Sequence, residues 1–252
     1  MRIAKFSIAG EARFGLVDGP ELVVFKGHPL FSNYETTGER IPLKDVQLLP
    51  PTLPTSKIVC IGKNYADHAA EMGGEAPTEP LIFLKPSTSL IGDGETIVRP
   101  AISEQVDFEG ELAVVIGAFA KDVSEADALD YVWGYTIAND VTARDIQAKD
   151  GQWTRAKGFD TFCPLGPWIE TEFDLDGQTL ETRVDGDLRQ HASIDLLIHK
   201  VPRIIQHVSQ AMTLLPGDVI LTGTPAGIGA MESGQVVEIS IEGIGSLSNP
   251  VA

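Results

Sequence analysis

The chain has 252 residues, of which 43% are hydrophobic and 22% are charged, a composition typical of a globular protein with a sizeable core. Its 19 basic and 36 acidic residues give a net charge of −17, which disfavours nucleic acids and anionic membranes as partners. The N-terminus has no apolar signal-peptide core, and the two cysteines lack zinc-site spacing. We therefore expect a cytoplasmic protein with reduced thiols.

The first 50 residues predict a small β-rich domain. Three strands are predicted at Arg2–Ile8, 12–17 and 21–25, with turns at Gly10 and at Asp18-Gly19. The proline-rich segment 49–55 then predicts a connector. These features predict a domain at residues 1–52 and a second at residues 53–252.

The second domain is predicted to be of the α+β class, mostly β with short helices. Patterns of buried or alternating apolar residues predict strands at 57–62, 81–85, 106–116, 132–138, 218–222 and 237–241. A hairpin with an Asp-Gly turn is predicted at 182–190. Helices are predicted at 64–72, at 124–131 with Ser124 as N-cap, and at 202–212. The glycine- and proline-rich segment 73–80 predicts a loop that could act as a lid.

Glu109, Glu111 and Asp140 are the strongest candidate site. The two glutamates alternate on one predicted strand, so they face the same side, and Asp140 ends the next predicted strand along the chain. Two carboxylates ~4 Å apart repel by roughly 4 kcal/mol at an effective dielectric near 20. Three such oxygens suit Mg²⁺ or Mn²⁺ with open coordination positions. The alternative is that these carboxylates form a solvated polar face. Asp107 lies two residues before Glu109 and so faces the same side of the predicted strand; it is expected at the surface or beside the site.

His68 and Glu71 are a second candidate pair, three residues apart on a predicted helix. A carboxylate can orient an imidazole and raise its basicity, so His68 could take a proton from water as a general base. The alternative is a surface ion pair on an amphipathic helix.

Several cations lie in the same segments although basic residues are scarce. Arg144 and Gln147 are also three residues apart, in a helical turn after Asp140, and could hold a carboxylate or an enolate oxygen. The alternative is that these cations balance an acidic surface. The glycine-rich segment 221–229 fits either an anion-binding nest or a plain turn.

Seven segments, in this order, resemble the fumarylacetoacetate hydrolase family. They are IGKNYADH at 61–68, FLKPS at 83–87, DFEGEL at 107–112, NDVTARD at 139–145, KGFD at 157–160, GDLRQ at 186–190 and GDVILTGTP at 217–225. The resemblance covers about residues 55–252. Residues 1–50 are only loosely similar to the small N-terminal domain of bacterial two-domain members.

The resemblance implies a mixed β-roll or β-sandwich with short helices, a homodimer, and one Mg²⁺ or Mn²⁺ per subunit. It assigns the metal to Glu109, Glu111 and Asp140, and water activation to His68 and Glu71. It places Lys157, Gln147 and Arg144 around the enolate or oxyanion, and Thr224 and Lys85 on the substrate carboxylate. Lys63 stands where many relatives carry arginine.

The implied activity is cleavage of a C–C bond in a 2-oxo or 2,4-dioxo carboxylate through a metal-bound pyruvate enolate. The reaction would be acylpyruvate hydrolysis or oxaloacetate decarboxylation. An alternative is 2-hydroxyhepta-2,4-diene-1,7-dioate isomerisation or 5-oxopent-3-ene-1,2,5-tricarboxylate decarboxylation. The non-enzymatic alternative is a protein that binds anions with the help of a divalent metal.

Overall fold

The computed structural model describes residues 1–252, and the chain is mostly β with four short α-helices. The strands are β1 Arg2–Ile8, β2 Glu11–Asp18, β3 Glu21–Lys26, β4 Glu35–Pro42, β5 Gln47–Leu49, β6 Ile58–Gly62, β7 Leu81–Lys85, β8 Leu90–Ile91, β9 Val106–Phe108, β10 Gly110–Ile116, β11 Val132–Asn139, β12 Thr142–Ala143, β13 Cys163–Glu170, β14 Thr179–Val184, β15 Asp187–Ser193, β16 Val219–Leu221, β17 Gly229–Ala230, β18 Val236–Ile241 and β19 Gly245–Pro250. The helices are α1 Ala66–Glu71, α2 Arg144–Asp150, α3 Thr154–Lys157 and α4 Val201–Ala211. No helix has both the length and the apolar character that a membrane span requires. The predicted class, mostly β with short helices, is confirmed.

The strands form three sheets. The largest has 12 strands, ten of them in the order β4-β3-β2-β1-β13-β11-β10-β16-β6-β7, with β5 beside β1 and β8 beside β13. A small sheet has the order β12-β9-β17, and a third has the order β15-β14-β18-β19. Because β1 pairs with β13 through Arg2 and Ile3, the N-terminal strands belong to the same sheet as the rest of the chain. The domain boundary near residue 52 stays a prediction.

The main hydrophobic core lies around β10, whose seven residues are all buried. The four-stranded sheet adds the alternating residues Val237, Ile239 and Ile241, as the sequence pattern predicted. Helix α4 contributes Ile204 and Val208 at the predicted helical spacing. The predicted hairpin also forms, as β14 and β15. The ends of β10 and β11 therefore sit on a rigid base.

Two predicted elements differ from the structure. The strand predicted at 106–116 is interrupted at Glu109, because the backbone N–H groups of Glu109 and Gly110 donate to side chains and not to a neighbouring strand. The helix predicted from Ser124 is a turn in which its hydroxyl accepts from the Asp127 N–H, and only Ala128–Tyr131 forms a 3-10 helix. Strand β13 was not predicted, since its two prolines are unusual inside a sheet.

Asp218 anchors the chain directly after the proline-rich connector. Its fully buried carboxylate accepts the backbone N–H groups of Ser56, Lys57 and Leu215 at 2.8, 3.0 and 2.9 Å. Lys57 Nζ lies 2.8 Å from Oδ2. Burial opposes ionisation, but the ammonium and these amides outweigh it and hold the pKa of Asp218 below its ordinary value. Asp218 thus joins the connector to the start of β16.

We predict that Asp218→Ala lowers the free energy of unfolding by about 3–5 kcal/mol, because it leaves a cation and several buried amides without an acceptor. Urea denaturation measures this. Asp187→Ala is the matched control, since Asp187 is exposed and its ion pair with Arg189 is long, at 3.7 Å. The free energy of unfolding of this variant should stay close to that of wild type. A loss below about 1 kcal/mol in Asp218→Ala would contradict the anchoring role.

Candidate metal centre and catalytic cavity

Glu109, Glu111 and Asp140 come together as the sequence analysis expected. One carboxylate oxygen from each lies within 4.8 Å of the other two, and all three residues are buried. The register explains this, because Gly110 of β10 pairs with Asn139 of β11 and places Asp140 next to Glu109. The Asp140 N–H donates to the Glu109 carbonyl at 2.9 Å. The interruption at Glu109 therefore does not separate its side chain from that of Glu111.

The donor set fits a hard divalent cation. Asp140 Oδ1 is buried and accepts no hydrogen bond, which is rare for a polar atom in a protein interior. Lys85 Nζ lies 2.7 Å from this oxygen, but its three protons are directed to the carbonyls of Val141, Lys157 and Phe162. An oxygen with a free lone pair beside two other carboxylates is a suitable ligand for Mg²⁺ or Mn²⁺.

The charge balance of the site also fits such a cation. Four carboxylates face three cationic groups, which leaves one negative charge that a divalent ion would convert to one positive charge. The carboxylates are Asp107, Glu109, Glu111 and Asp140, and the cations are Lys85, Arg144 and Lys157. With the ion bound, the site would favour an anionic ligand.

The pKa shifts show which carboxylate lacks a cation. Burial raises the pKa of Glu111 well above its ordinary value, and the negative charges of Asp140 and Glu109 add to this. Burial also opposes ionisation of Glu109, but the charges of Lys157 and Arg144 outweigh it and lower the pKa of Glu109. A metal ion next to Glu111 would supply the missing positive charge.

Lys157, the last residue of α3, reaches into the carboxylate group. Its ammonium donates to Glu109 Oε2 at 2.8 Å and to Asp140 Oδ2 at 2.7 Å, and lies 5.1 Å from the centroid of the Phe83 ring. Burial alone would lower the pKa of Lys157, but the charges of Asp140 and Glu109 raise it above the ordinary value. Lys157 is therefore a fixed positive charge and a hydrogen-bond donor.

Arg144 and Gln147 lie on the first turns of α2, as expected from their spacing. The Arg144 guanidinium donates to Asp107 at 2.8 Å, to Glu109 at 2.6 Å and to Gln147 Oε1 at 2.7 Å. Asp107 was expected either at the surface or beside the site. It is buried, and therefore lies beside the site. Asp107 fixes the guanidinium, which in turn fixes Glu109.

His68 and Glu71 form the expected pair at the edge of the same cavity. His68 Nδ1 lies 3.2 Å from Glu71 Oε2, which favours the proton on Nδ1 and leaves Nε2 as the basic nitrogen. The Gly227 N–H donates to Glu71 Oε1 at 3.1 Å, so the glutamate is itself held by the loop after β16. His68 is buried, which argues against the surface ion pair.

All these groups except Glu71, Asp107 and Lys85 line one cavity of about 310 Å³. Its lining residues are Ile61, Gly62, Lys63, His68, Met72, Phe83, Glu109, Glu111, Asp140, Arg144, Gln147, Ala148, Trp153, Lys157 and Thr224. Lys85, which was expected to bind substrate, does not line this cavity, and its ammonium contacts three backbone carbonyls and Asp140. We assign it to holding Asp140.

The aromatic wall of the cavity was not anticipated. Phe83 and Trp153 pack edge to face with their ring centroids 5.2 Å apart. A Cβ at Gly62 would lie 2.7 Å from the Trp153 ring, so glycine is required there for Trp153 to approach. The segment 61–68 was recognised, but nothing local in the sequence connects Gly62 with a tryptophan 91 residues further along the chain.

Lys63 lines the cavity directly after β6. It adopts a left-handed backbone conformation (φ 56°), which is uncommon for residues other than glycine and often marks functional sites. Unlike Arg144 and Lys157, it has no acidic partner within 4.0 Å. A Cβ on Gly74 would lie 3.0 Å from Lys63 Nζ, so the ammonium sits beside the loop that follows α1.

Comparison with known proteins agrees with the resemblance. The family model described as "Fumarylacetoacetate (FAA) hydrolase C-terminal" matches residues 57–252, and "Rv2993c-like, N-terminal" matches residues 1–51. The chain belongs to the fumarylacetoacetate hydrolase family. Because this family consists of enzymes, family membership favours an active site in this cavity over a non-enzymatic anion-binding site.

Several members of this family are similar over most of the chain. Protein Rv2993c of Mycobacterium tuberculosis is 53% identical, covering 100% of this chain and 98% of its own length. Oxaloacetate tautomerase YisK of Bacillus subtilis is 43% identical, covering 83% of this chain and 74% of its own length. Two solved structures are also similar. A 2-hydroxyhepta-2,4-diene-1,7-dioate isomerase from Mycobacterium marinum has a TM-score of 0.92 and 49% identity, covering 100% of this chain and 98% of its own. A maleylpyruvate hydrolase from Sphingobium, solved with Mn²⁺ and pyruvate, has a TM-score of 0.83 and 31% identity, covering 100% of this chain and 99% of its own.

We predict that the affinity for Mn²⁺ falls as the pH is lowered, because protons compete for the Glu111 carboxylate, whose pKa is raised. Calorimetric titrations at a series of pH values, from mildly acidic to mildly alkaline, measure this. Glu111→Gln should bind Mn²⁺ more weakly than wild type, and its affinity should depend less on pH because the variant lacks the titrating carboxylate. A Kd that is constant over this range in wild type would contradict the prediction.

Proposed function

We propose that this protein is a divalent-metal-dependent enzyme that breaks a C–C bond in a small 2-oxo or 2,4-dioxo carboxylate. The observation that carries the proposal is that three buried carboxylates, a cationic lysine and a histidine oriented by a glutamate belong to one small cavity. A structural ion would need neither the lysine nor the histidine. The proposed cofactor is one Mg²⁺ or Mn²⁺ per subunit, and a homodimer is the proposed assembly.

The residues around the carboxylates would bind the 2-oxo acid end of the substrate. Glu109, Glu111 and Asp140 would hold the cation, which polarises a carbonyl as a Lewis acid when it is bound. Lys157 and Arg144 would stabilise the negative charge that develops on the 2-oxo oxygen. Thr224, which is buried and lines the cavity, would donate its hydroxyl proton to the substrate carboxylate.

For a 4-acyl substrate, His68 would act as the base for water. Its Nε2 takes a proton as the water oxygen attacks C4, while Glu71 stabilises the imidazolium through Nδ1. The C3–C4 bond then breaks, its electron pair forms the pyruvate enolate, and a proton returned to C3 gives pyruvate and a carboxylic acid. Where C4 is a carboxylate, the same bond breaks with loss of CO₂ and without attack by water.

The size and charge of the cavity favour a small anionic substrate. A volume of about 310 Å³ is near the lower end of the usual range for ligand pockets, ~300–1,000 Å³. Lys63, which has no acidic partner, offers a cation for a second negative group, and the Phe83 and Trp153 rings offer apolar contacts for the carbon chain. These features suit short 2-oxo dicarboxylates better than acids with large acyl groups.

Keto–enol tautomerisation of oxaloacetate, or isomerisation of an unsaturated 2-hydroxy diacid, is the second candidate. It is supported by the names of the tautomerase from Bacillus subtilis and the isomerase from Mycobacterium marinum. These reactions need only proton transfer between carbon and oxygen, for which His68 is also placed. They share the enolate with C–C cleavage and differ from it in leaving the carbon skeleton intact.

The test is a panel assay with Mg²⁺ or Mn²⁺ on oxaloacetate, acetylpyruvate, maleylpyruvate and the heptadienedioate, read by product identity. We expect metal-dependent pyruvate release, reduced by about 10²-fold or more in Glu109→Gln, since several kcal/mol of charge stabilisation are lost. Glu104→Gln is the control, because Glu104 is exposed in the same segment. Enol–keto conversion without pyruvate release would favour the second candidate. Turnover unaffected by chelators or by Glu109→Gln would refute both.

We predict that His68→Ala reduces acylpyruvate hydrolysis by on the order of 10²-fold or more and affects oxaloacetate decarboxylation much less, because only hydrolysis needs an activated water. Steady-state kinetics on both substrates measures this. His191→Ala is the matched control, since His191 is also paired with a glutamate, at 3.1 Å, but lies outside this cavity. Equal losses on both substrates would show that His68 does not serve water attack specifically.

A further inference from the structure

Gln190 on β15 is a buried side chain that connects two parts of the proposed site without lining its cavity. Its Oε1 accepts the Gly110 N–H at 3.0 Å and the Thr182 hydroxyl at 2.7 Å. Its Nε2 donates to Thr224 Oγ1 at 2.7 Å and to the Pro225 carbonyl at 2.8 Å. The residue is fully buried, and all four hydrogen-bonding positions of its amide are used. The Gly110 N–H can only donate and the Pro225 carbonyl can only accept, so these two backbone groups fix which side of the amide carries the oxygen.

The local backbone is shaped to bring this amide into place. Thr182 pairs with Gln190 and Arg183 pairs with Leu188, so Arg189 forms a β-bulge directly before Gln190. A Cβ at Gly110 would lie 2.4 Å from Thr182 Oγ1, and one at Gly227 would lie 2.2 Å from the Arg189 carbonyl. Glycine on both sides therefore lets the bulged strand approach the site closely.

The hydrogen bond from Gln190 restricts the directions in which the Thr224 hydroxyl can donate. Thr224 Oγ1 accepts from Gln190 Nε2, and no protein group accepts the Thr224 proton. Because one lone pair is taken by the amide, the proton is free to point into the cavity that Thr224 lines.

We propose that Gln190 is a positioning residue that makes Thr224 a hydrogen-bond donor to the substrate anion and fixes it relative to the Glu109–Glu111 turn. The inference rests on the proposed function, in which Thr224 contacts the substrate carboxylate. Gln190 contacts two parts of the site at once, since Gly110 separates two of the three carboxylates and Thr224 lies in the loop after β16.

The same strand supports the histidine–glutamate pair. The Arg189 carbonyl packs against Gly227, whose N–H donates to Glu71 Oε1. The loop from Thr224 to Gly227 thus has one end held by Gln190 and the other bonded to Glu71. The bulge at Arg189 therefore helps to position this loop, whose preceding residue Gly223 also donates its N–H to Glu111 Oε2 at 2.6 Å.

A double-mutant cycle on oxalate binding with Mg²⁺, measured by calorimetry, tests the proposal. Gln190→Glu places an acceptor where Thr224 now meets a donor, so the Thr224 proton turns away from the ligand. We expect the Kd for oxalate to rise by about tenfold or more, as for loss of a hydrogen bond to a charged group. Thr224→Val should cause a similar rise, and the double variant should bind no more than about twofold more weakly than Thr224→Val alone.

Gln190→Met separates the polarity of the hydrogen bond from packing. It keeps the shape and lets the Thr224 hydroxyl rotate freely, so it should weaken oxalate binding less than Gln190→Glu does. A purely structural role predicts equal effects of the two variants. Thr136→Val is the control, since it removes a buried threonine hydrogen bond, to the Gly166 carbonyl, outside the cavity.

The outcomes separate the inference from the proposed function. If wild type does not bind oxalate with Mg²⁺, the proposed function fails. If wild type binds it and the effects of Gln190→Glu and Thr224→Val multiply, the inference alone is overturned. If the position 190 variants do not fold, NMR of the Gln190 side-chain amide replaces them. Oxalate should shift that resonance in wild type and leave it unchanged in Thr224→Val, and the same shift in both proteins would overturn the inference.

Discussion

The repulsion between three buried carboxylates is the constraint on which the rest of this site depends. Glu109, Glu111 and Asp140 offer oxygens within 4.8 Å of one another, away from solvent, where like charges interact most strongly. The chain answers this repulsion only in part. Lys157 and Arg144 stabilise Glu109 in its ionised form, while Glu111 keeps a raised pKa and Asp140 keeps an oxygen without a hydrogen bond. The cations of the chain leave one negative charge of this site uncompensated, and a divalent cation is the simplest group that compensates it.

Such a cluster must be held by groups that cannot relax away from it. At Glu109 the strand is interrupted, and side chains replace the neighbouring strand as partners: Asn139 Oδ1 accepts from Glu109 N–H, and Gln190 Oε1 accepts from Gly110 N–H. Both side chains are fully buried. Because each is fixed by the sheet that carries it, the turn between β9 and β10 is tied to β11 on one side and to the four-stranded sheet on the other.

The sequence predicted the parts of the site that depend on short spacings. Glu109 and Glu111, His68 and Glu71, and Arg144 and Gln147 are two or three residues apart, so strand or helix periodicity already places each pair on one face. The interruption at Glu109 could not be predicted, because its cause is a pair of side chains 30 and 80 residues away. The contacts of Lys85 could not be predicted for the same reason, because the three carbonyls that its ammonium contacts come from distant parts of the chain.

The proposed enolate chemistry alone does not decide among hydrolysis, decarboxylation and tautomerisation, since all three would use the same carboxylates and cations. What separates them is whether water and a base can reach C4. The proposed base, His68, is on α1 and contacts Glu71, which accepts the N–H of Gly227 in the loop that also carries Thr224. A substrate anion that engages Thr224 would therefore act on the same loop that holds the base in place. In the proposed mechanism, recognition of the substrate carboxylate by Thr224 and activation of water by His68 would thus be coupled through this loop, and a substrate that binds without engaging Thr224 would meet a less well oriented base.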